Sequence, residues 1–158
     1  MNIKTLAAIR KSRTMHLIDI ENLCMASNPT LEEVIEARKV YLETVNHGES
    51  DQYLVTVSSH HNLESVAFGW PGATLKFLEG HDGADILLAE AMLDDHLEER
   101  FDRVVVASGD GGLAPFVSRL QKQVDKVVVV SQPSAISISM RLYGASVQYV
   151  KPDFSLAA

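Results

Sequence analysis

Cysteine occurs once in this 158-residue chain, at Cys24, so neither an internal disulfide nor a thiolate zinc ribbon can form. No apolar run reaches the ~20 residues that a membrane-spanning helix needs. The opening stretch, MNIKTLAAIRKSRTM, carries positive charge over only a short apolar patch and has no cleavage site, so it does not read as a secretion signal. These absences place the expected compartment in the cytoplasm and exclude a membrane partner. Also missing are GxxxxGK[ST], a GxGxxG after the first strand, and HxxxH spacing, which removes the common nucleotide-loop and zinc motifs. There is no excess of base either. The net charge is −7, so binding to nucleic acid cannot rest on general neutralisation of phosphates.

What remains is an ordinary globular composition, 46% hydrophobic and 22% charged. The length suits one domain with a core at about 14–150, a short basic N-terminal arm and a short tail. Short β-branched or apolar runs at 15–20, 53–59, 73–79, 103–108, 126–131 and 146–150 read as strands. Helical patterns separate them. One opens at Thr30 as N-cap, with Glu33 three residues on, and runs to His47-Gly48. Another, over 84–99, has Ile86, Ala89, Leu93 and Leu97 along one face. A third follows Leu113 and tolerates Pro115 in its first turn. Alternating strands and helices predict right-handed crossovers and a doubly wound, mainly parallel α/β sheet with helices on both faces. Trp70 is expected to pack, and Cys24 to be a small buried residue.

In such folds ligands bind beyond the carboxyl ends of the strands, where strand order reverses. The sequence puts its polar residues there. Asp19 ends strand one and is followed by Glu21 and Asn22, with Glu21 expected on the same face as Asp19. Ser58, Ser59, His60, His61 and Asn62 follow strand two, and His81, Asp82 and Asp85 follow strand three. Ser108-Gly109-Asp110-Gly111-Gly112 follows strand four. Asp85 and Asp82 could each serve as helix caps, and Asp110 as a turn residue. Asp19 is harder to dismiss, because an acid inside a buried strand is costly unless paired or bound to metal. Three acids from three strand ends point instead to one site for a hard cation, Mg²⁺ or Mn²⁺.

The motifs Ile18-Asp19-Ile20-Glu21-Asn22, Gly83-Ala84-Asp85-Ile86-Leu87-Leu88-Ala89 and Val105-Val106-Ala107-Ser108-Gly109-Asp110-Gly111 resemble, in this order, those of the NYN domains. These are relatives of the PIN-like nucleases. The resemblance implies a PIN-like fold that hydrolyses RNA with a carboxylate-held Mg²⁺ or Mn²⁺. It would make Asp19, Asp85 and Asp110 the catalytic and metal-holding acids, with RNA as the partner. Asn22 and Ser108 match the family's polar residues beside these acids. His60, His61 and the basic arm residues Arg10, Lys11 and Arg13 are further candidates for substrate contact. A second copy of the chain or another protein stays open as a partner.

One departure stands out. Where the family often reads SGDxDF, this chain has Gly112 and Leu113, so a fourth carboxylate is missing. That leaves a second reading, a catalytically weakened NYN domain that binds RNA or protein. A third is phosphotransfer of the haloacid-dehalogenase type, for which Asp19-Ile20-Glu21 would have to serve as the strand-one acid pair.

Overall fold

Valine-rich runs carry no charge to keep in water, so they pair side by side at the centre of the molecule. In the computed structural model, which describes residues 2–5, 13–143 and 146–150, six parallel strands form one sheet. They are β1 (Thr14–Asp19), β2 (Gln52–Val57), β3 (Thr74–Phe77), β4 (Arg103–Ala107), β5 (Lys126–Ser131) and β6 (Ser146–Tyr149), in the spatial order β3-β2-β1-β4-β5-β6. The helices are α1 (Ile20–Cys24), α2 (Leu31–Thr44), α3 (Leu63–Gly69), α4 (Gly83–Asp94), α5 (Leu97–Arg100), α6 (Ala114–Leu120) and α7 (Ile138–Leu142). The expected doubly wound α/β sheet is what forms. No helix among the described residues is long and apolar enough to cross a membrane.

Alternation along each strand divides the core in two. Met15 and Leu17 of β1, with Val104 and Val106 of β4, pack beneath Leu88, Ala91 and Met92 of α4 and Val117 and Leu120 of α6. Ile18, Val55, Val105 and Val128 face the other way, toward Val34 and Tyr41 of α2, Val66 and Trp70. Thr30 caps α2 as expected, its hydroxyl accepting the Glu33 N–H at 3.1 Å. Cys24 is half-buried rather than fully enclosed.

The helix expected over 84–99 is two helices. His96 takes φ 48°, a left-handed conformation that ends α4 and starts α5 in a new direction. The buried face of α4 is Ala84, Leu88, Ala91 and Met92, not the expected stripe, and Ile86 and Leu93 of that stripe are 45% and 36% exposed. A helix apolar on more than one side offers no single periodicity from which to choose its inner face.

At the amino edge of the sheet lies a buried polar chain that the sequence did not announce. His16, on the α2 face and fully enclosed, stacks on Tyr53 with ring centroids 4.4 Å apart. Its Nδ1 lies 2.6 Å from the Tyr41 hydroxyl and its Nε2 lies 2.9 Å from Asp51 Oδ2. Asp51 also accepts the Thr14 and Gly48 N–H groups at 3.0 Å each. A neutral imidazole satisfies every partner: Nε2–H donates to Asp51 while Nδ1 accepts from Tyr41. Burial accordingly holds the His16 pKa below its ordinary 6.5, outweighing the pull of Asp51.

Asp51→Ala strips three accepted hydrogen bonds from a side chain only 2% exposed. The expected loss, read by urea denaturation, is on the order of 3 kcal/mol or more. Because the unfolded chain takes up a proton at His16 before the folded one does, the stability of wild type is full above pH 6.5 and declines as pH falls below it. The variant, lacking the Asp51 charge that raises the His16 pKa, declines at least as far. A stability unchanged by the substitution would show that the chain contributes nothing net.

Candidate metal centre

Asp19 comes from strand alternation. Met15 and Leu17 point toward α4, and Asp19, two residues further on, points the same way while remaining only 7% exposed. The chain then turns straight into α1. Asp19 is the N-cap, and its Oδ1 accepts the Asn22 N–H at 3.1 Å.

Asp85 and Asp110 each depend on a glycine that lets backbone approach backbone. A Cβ on Gly83 would stand 1.7 Å from the Leu78 carbonyl oxygen, so only glycine allows α4 to start this close to the end of β3. Asp85 lies in the first turn of α4, where its Oδ1 is buried without a hydrogen-bond partner. A Cβ on Gly109 would come within 2.3 Å of the Ala135 carbonyl oxygen. The Gly109 N–H instead donates to Asn22 Oδ1 at 2.9 Å, tying the loop after β4 to α1. Asp110 then turns outward, its Oδ1 accepting the Gly112 N–H at 2.7 Å.

All three carboxylates line one open cavity of about 530 Å³, together with Glu21, Asn22, Ser58 and His81. Asp110 does make the turn bond that the sequence allowed it, and Asp19 makes a cap bond that the sequence did not announce. Asp85, the expected cap, makes none through Oδ1.

The electrostatics are those of crowded acids. The Asp19 pKa is raised to about 6, chiefly by burial and also by the charges of Glu21 and Asp110, against the pull of the Asn22 N–H. Asp85 is pushed up to about 7, first by burial and then by the charges of Asp19 and Asp110. Oxygen donors of this kind suit a hard divalent cation, and the orphaned Asp85 Oδ1 is the atom such an ion would satisfy. Among the described residues, ligand atoms of His96, Glu98 and Glu99 come within 4.8 Å of one another, on the surface by α5. Asp19, Asp85 and Asp110 do not form so tight a group, so a cation has to draw their side chains together.

Other expected site residues are placed differently. Ser108 is fully buried, its Oγ accepting the Asp110 N–H at 3.2 Å, so it positions the loop and cannot touch substrate. Asn22 lines the cavity but commits its Oδ1 to Gly109. His60 and His61 are exposed and not brought to the cavity; His60 bonds to Glu79 through its N–H at 2.9 Å and its Nδ1 at 3.1 Å. Arg13 lies before β1, at the sheet edge opposite Asp19, with its guanidinium 4.9 Å from the Phe101 ring centroid. Arg10 and Lys11 lie outside the described residues.

Glu21 does not alternate with Asp19, because helix replaces strand at Ile20. Its carboxylate is instead clasped by the Ser58 N–H at 2.7 Å, the Ser58 hydroxyl at 2.5 Å and Asn62 Nδ2 at 3.0 Å. Asn62, only 1% exposed, had no signal in the sequence beyond its place after strand two.

Removing one charge from the cluster should relieve it. In chelator, Asp85→Asn should melt above wild type near pH 8, and the gain should shrink toward pH 5, where wild-type Asp85 already holds its proton. The raised acids bind protons in the folded state that the unfolded chain has released, so their stabilisation is lost as pH rises. Identical melting curves across that range would mean the three acids do not interact.

The comparisons with known proteins agree with the architecture. A crystal structure of a Vibrio parahaemolyticus protein of unknown function superposes with a TM-score of 0.59 at 19% identity, covering 91% of this chain and 96% of that one. Its likeness is one of fold. No curated protein matches the chain. The NYN domain matches residues 13–147, which span β1 to β5, the start of β6 and all three acids, so the chain belongs to the NYN family.

Proposed function

We propose that this protein is a metal-dependent endoribonuclease whose Mg²⁺ or Mn²⁺ is held by Asp19, Asp85 and Asp110. Membership of a nuclease-related family supports the reaction class. The observation that carries the reading is convergence: three carboxylates, from the end of β1, the first turn of α4 and the loop after β4, line one cavity, one of them with a buried oxygen that has no hydrogen-bond partner. When bound, the cation supplies Lewis acidity toward the scissile phosphate and lowers the pKa of a coordinated water.

The chain's own residues prepare the rest. Asn22 and Ser108 hold the Gly109-Asp110 loop so that the Asp110 carboxylate faces those of Asp19 and Asp85. The Glu21 clasp fixes the end of β2 against the start of α1 and keeps that wall of the cavity in place. His81 is the imidazole lining the cavity, able to pass a proton to a departing oxygen. Arg13, at the far edge, takes no part.

One feature favours a binding-only NYN domain as the second reading. Glu21 is engaged by Ser58 and Asn62 and position 112 carries no acid, so three aspartates stand without an evident fourth ligand. The same engagement removes the ground for phosphotransfer, which needs a free strand-one acid pair.

With single-stranded RNA and Mn²⁺, wild type should cleave, and Asp110→Asn should lose at least about a hundredfold in rate while remaining folded. At an ion concentration a hundred times Kd, Mn²⁺ should stabilise wild type by about 2.7 kcal/mol. RNA bound tightly but never cut would select the binding-only reading. An Asp110→Asn variant as fast as wild type would reduce Asp110 to a turn residue.

A further inference from the structure

A second cavity, of about 440 Å³, adjoins the first and shares Asp85 and Asp110 as its wall. Its floor is apolar: Ile86, Ala89 and Leu93 from α4, with Leu113 and Phe116 from the segment after β4. These α4 residues are the stripe whose pattern predicts burial, yet Ile86 and Leu93 are substantially exposed. Asp82 and Glu90 complete the lining, and no lysine or arginine contributes to it. Gly112 also lines the cavity, and contributes no side chain to fill it.

Each property narrows the occupant. An anion is repelled by the acids. An apolar floor with one aromatic ring suits a flat ring system, which single-stranded RNA offers in its unpaired bases. The acids accept hydrogen bonds and so favour the base with the most N–H donors on one edge. The shared wall sets the distance: whatever fills this groove sits beside the atom attacked at the three aspartates.

We propose that the groove receives the unpaired base of a nucleotide adjoining the scissile phosphate, with guanine preferred because its N1–H and N2–H donate together to the Glu90 carboxylate. The base lies on Ile86, Leu93 and Phe116. This makes Glu90 a specificity residue, and it rests on the ribonuclease reading above.

Two uridine nonamers, one with a single central guanosine, test it in Mn²⁺. Wild type should cut the guanosine-containing strand at least about tenfold faster and at one fixed distance from the guanosine. Glu90→Gln, at an exposed position, should bring the ratio of the two rates to within about twofold of one. Ile86→Ser, also exposed, should raise KM for the guanosine strand more than it lowers kcat. Equal wild-type rates on the two strands would overturn the groove and leave the ribonuclease reading standing.

If wild type cuts neither strand, the ribonuclease reading fails, and methyl NMR decides the groove alone. Guanosine should then shift the Ile86 and Leu93 methyl signals of the metal-free protein while uridine does not. No shift with guanosine would overturn the proposal. Shifts of those methyls with protein concentration alone would give the groove to a second copy of the chain, and would overturn it too.

Discussion

Like charges do not gather without compulsion, and the compulsion here is topological. The chain lays β1, β2 and β3 outward in one direction and then returns past β1 to lay β4, β5 and β6 in the other. Right-handed crossovers put α2 and α3 on one face and α4 and α6 on the opposite one. The segments leaving β1 and β4 therefore diverge, and between neighbouring strands that hydrogen-bond along their length a crevice opens at the carboxyl edge. Asp19 and Asp110 stand on its two sides, and α4 lowers Asp85 onto it from above the sheet. The acids meet because the sheet leaves them nowhere else to be.

That meeting is uphill for the bare protein. Asp19 is almost fully enclosed, Asp85 has an oxygen with no partner, and both hold protons at a pH where surface carboxylates have lost them. The surrounding bonds oppose the strain without relieving it. Asn22 reaches across to Gly109, Ser108 braces Asp110 from beneath, and Glu21 is gripped from β2. Residues that resemble participants in chemistry are in these cases the frame that keeps repelling groups in register.

Much of this was legible because its causes are local. β-Branched runs announce strands, Thr30 announces a helix start, and an aspartate among Leu17, Ile18 and Ile20 announces a group with a reason to be buried. What escaped depends on contacts distant in sequence or on small changes of period. Strand gives way to helix at Ile20, and that single step swings Glu21 from the shared face of Asp19 to Ser58 and Asn62. The segment DILLAEAML is apolar on too many sides to declare which one is inner. Ser108 looks like a partner of Asp110 in sequence, and only packing shows it sealed off. Arg13 is six residues before Asp19, but along an extended strand that is roughly 20 Å, the full height of the sheet.

The Tyr41–His16–Asp51 chain lies at the end of the sheet away from the acids. It fastens β1 to α2 and to the loop before β2, and none of its members lines the acidic cavity or the groove beside it. The molecule thus keeps its anchorage and its acidic cavity at opposite poles of one strand. Substitutions along the carboxyl rim, Gly112 among them, touch none of the anchor's hydrogen bonds, so the rim can vary while the scaffold keeps its fastening.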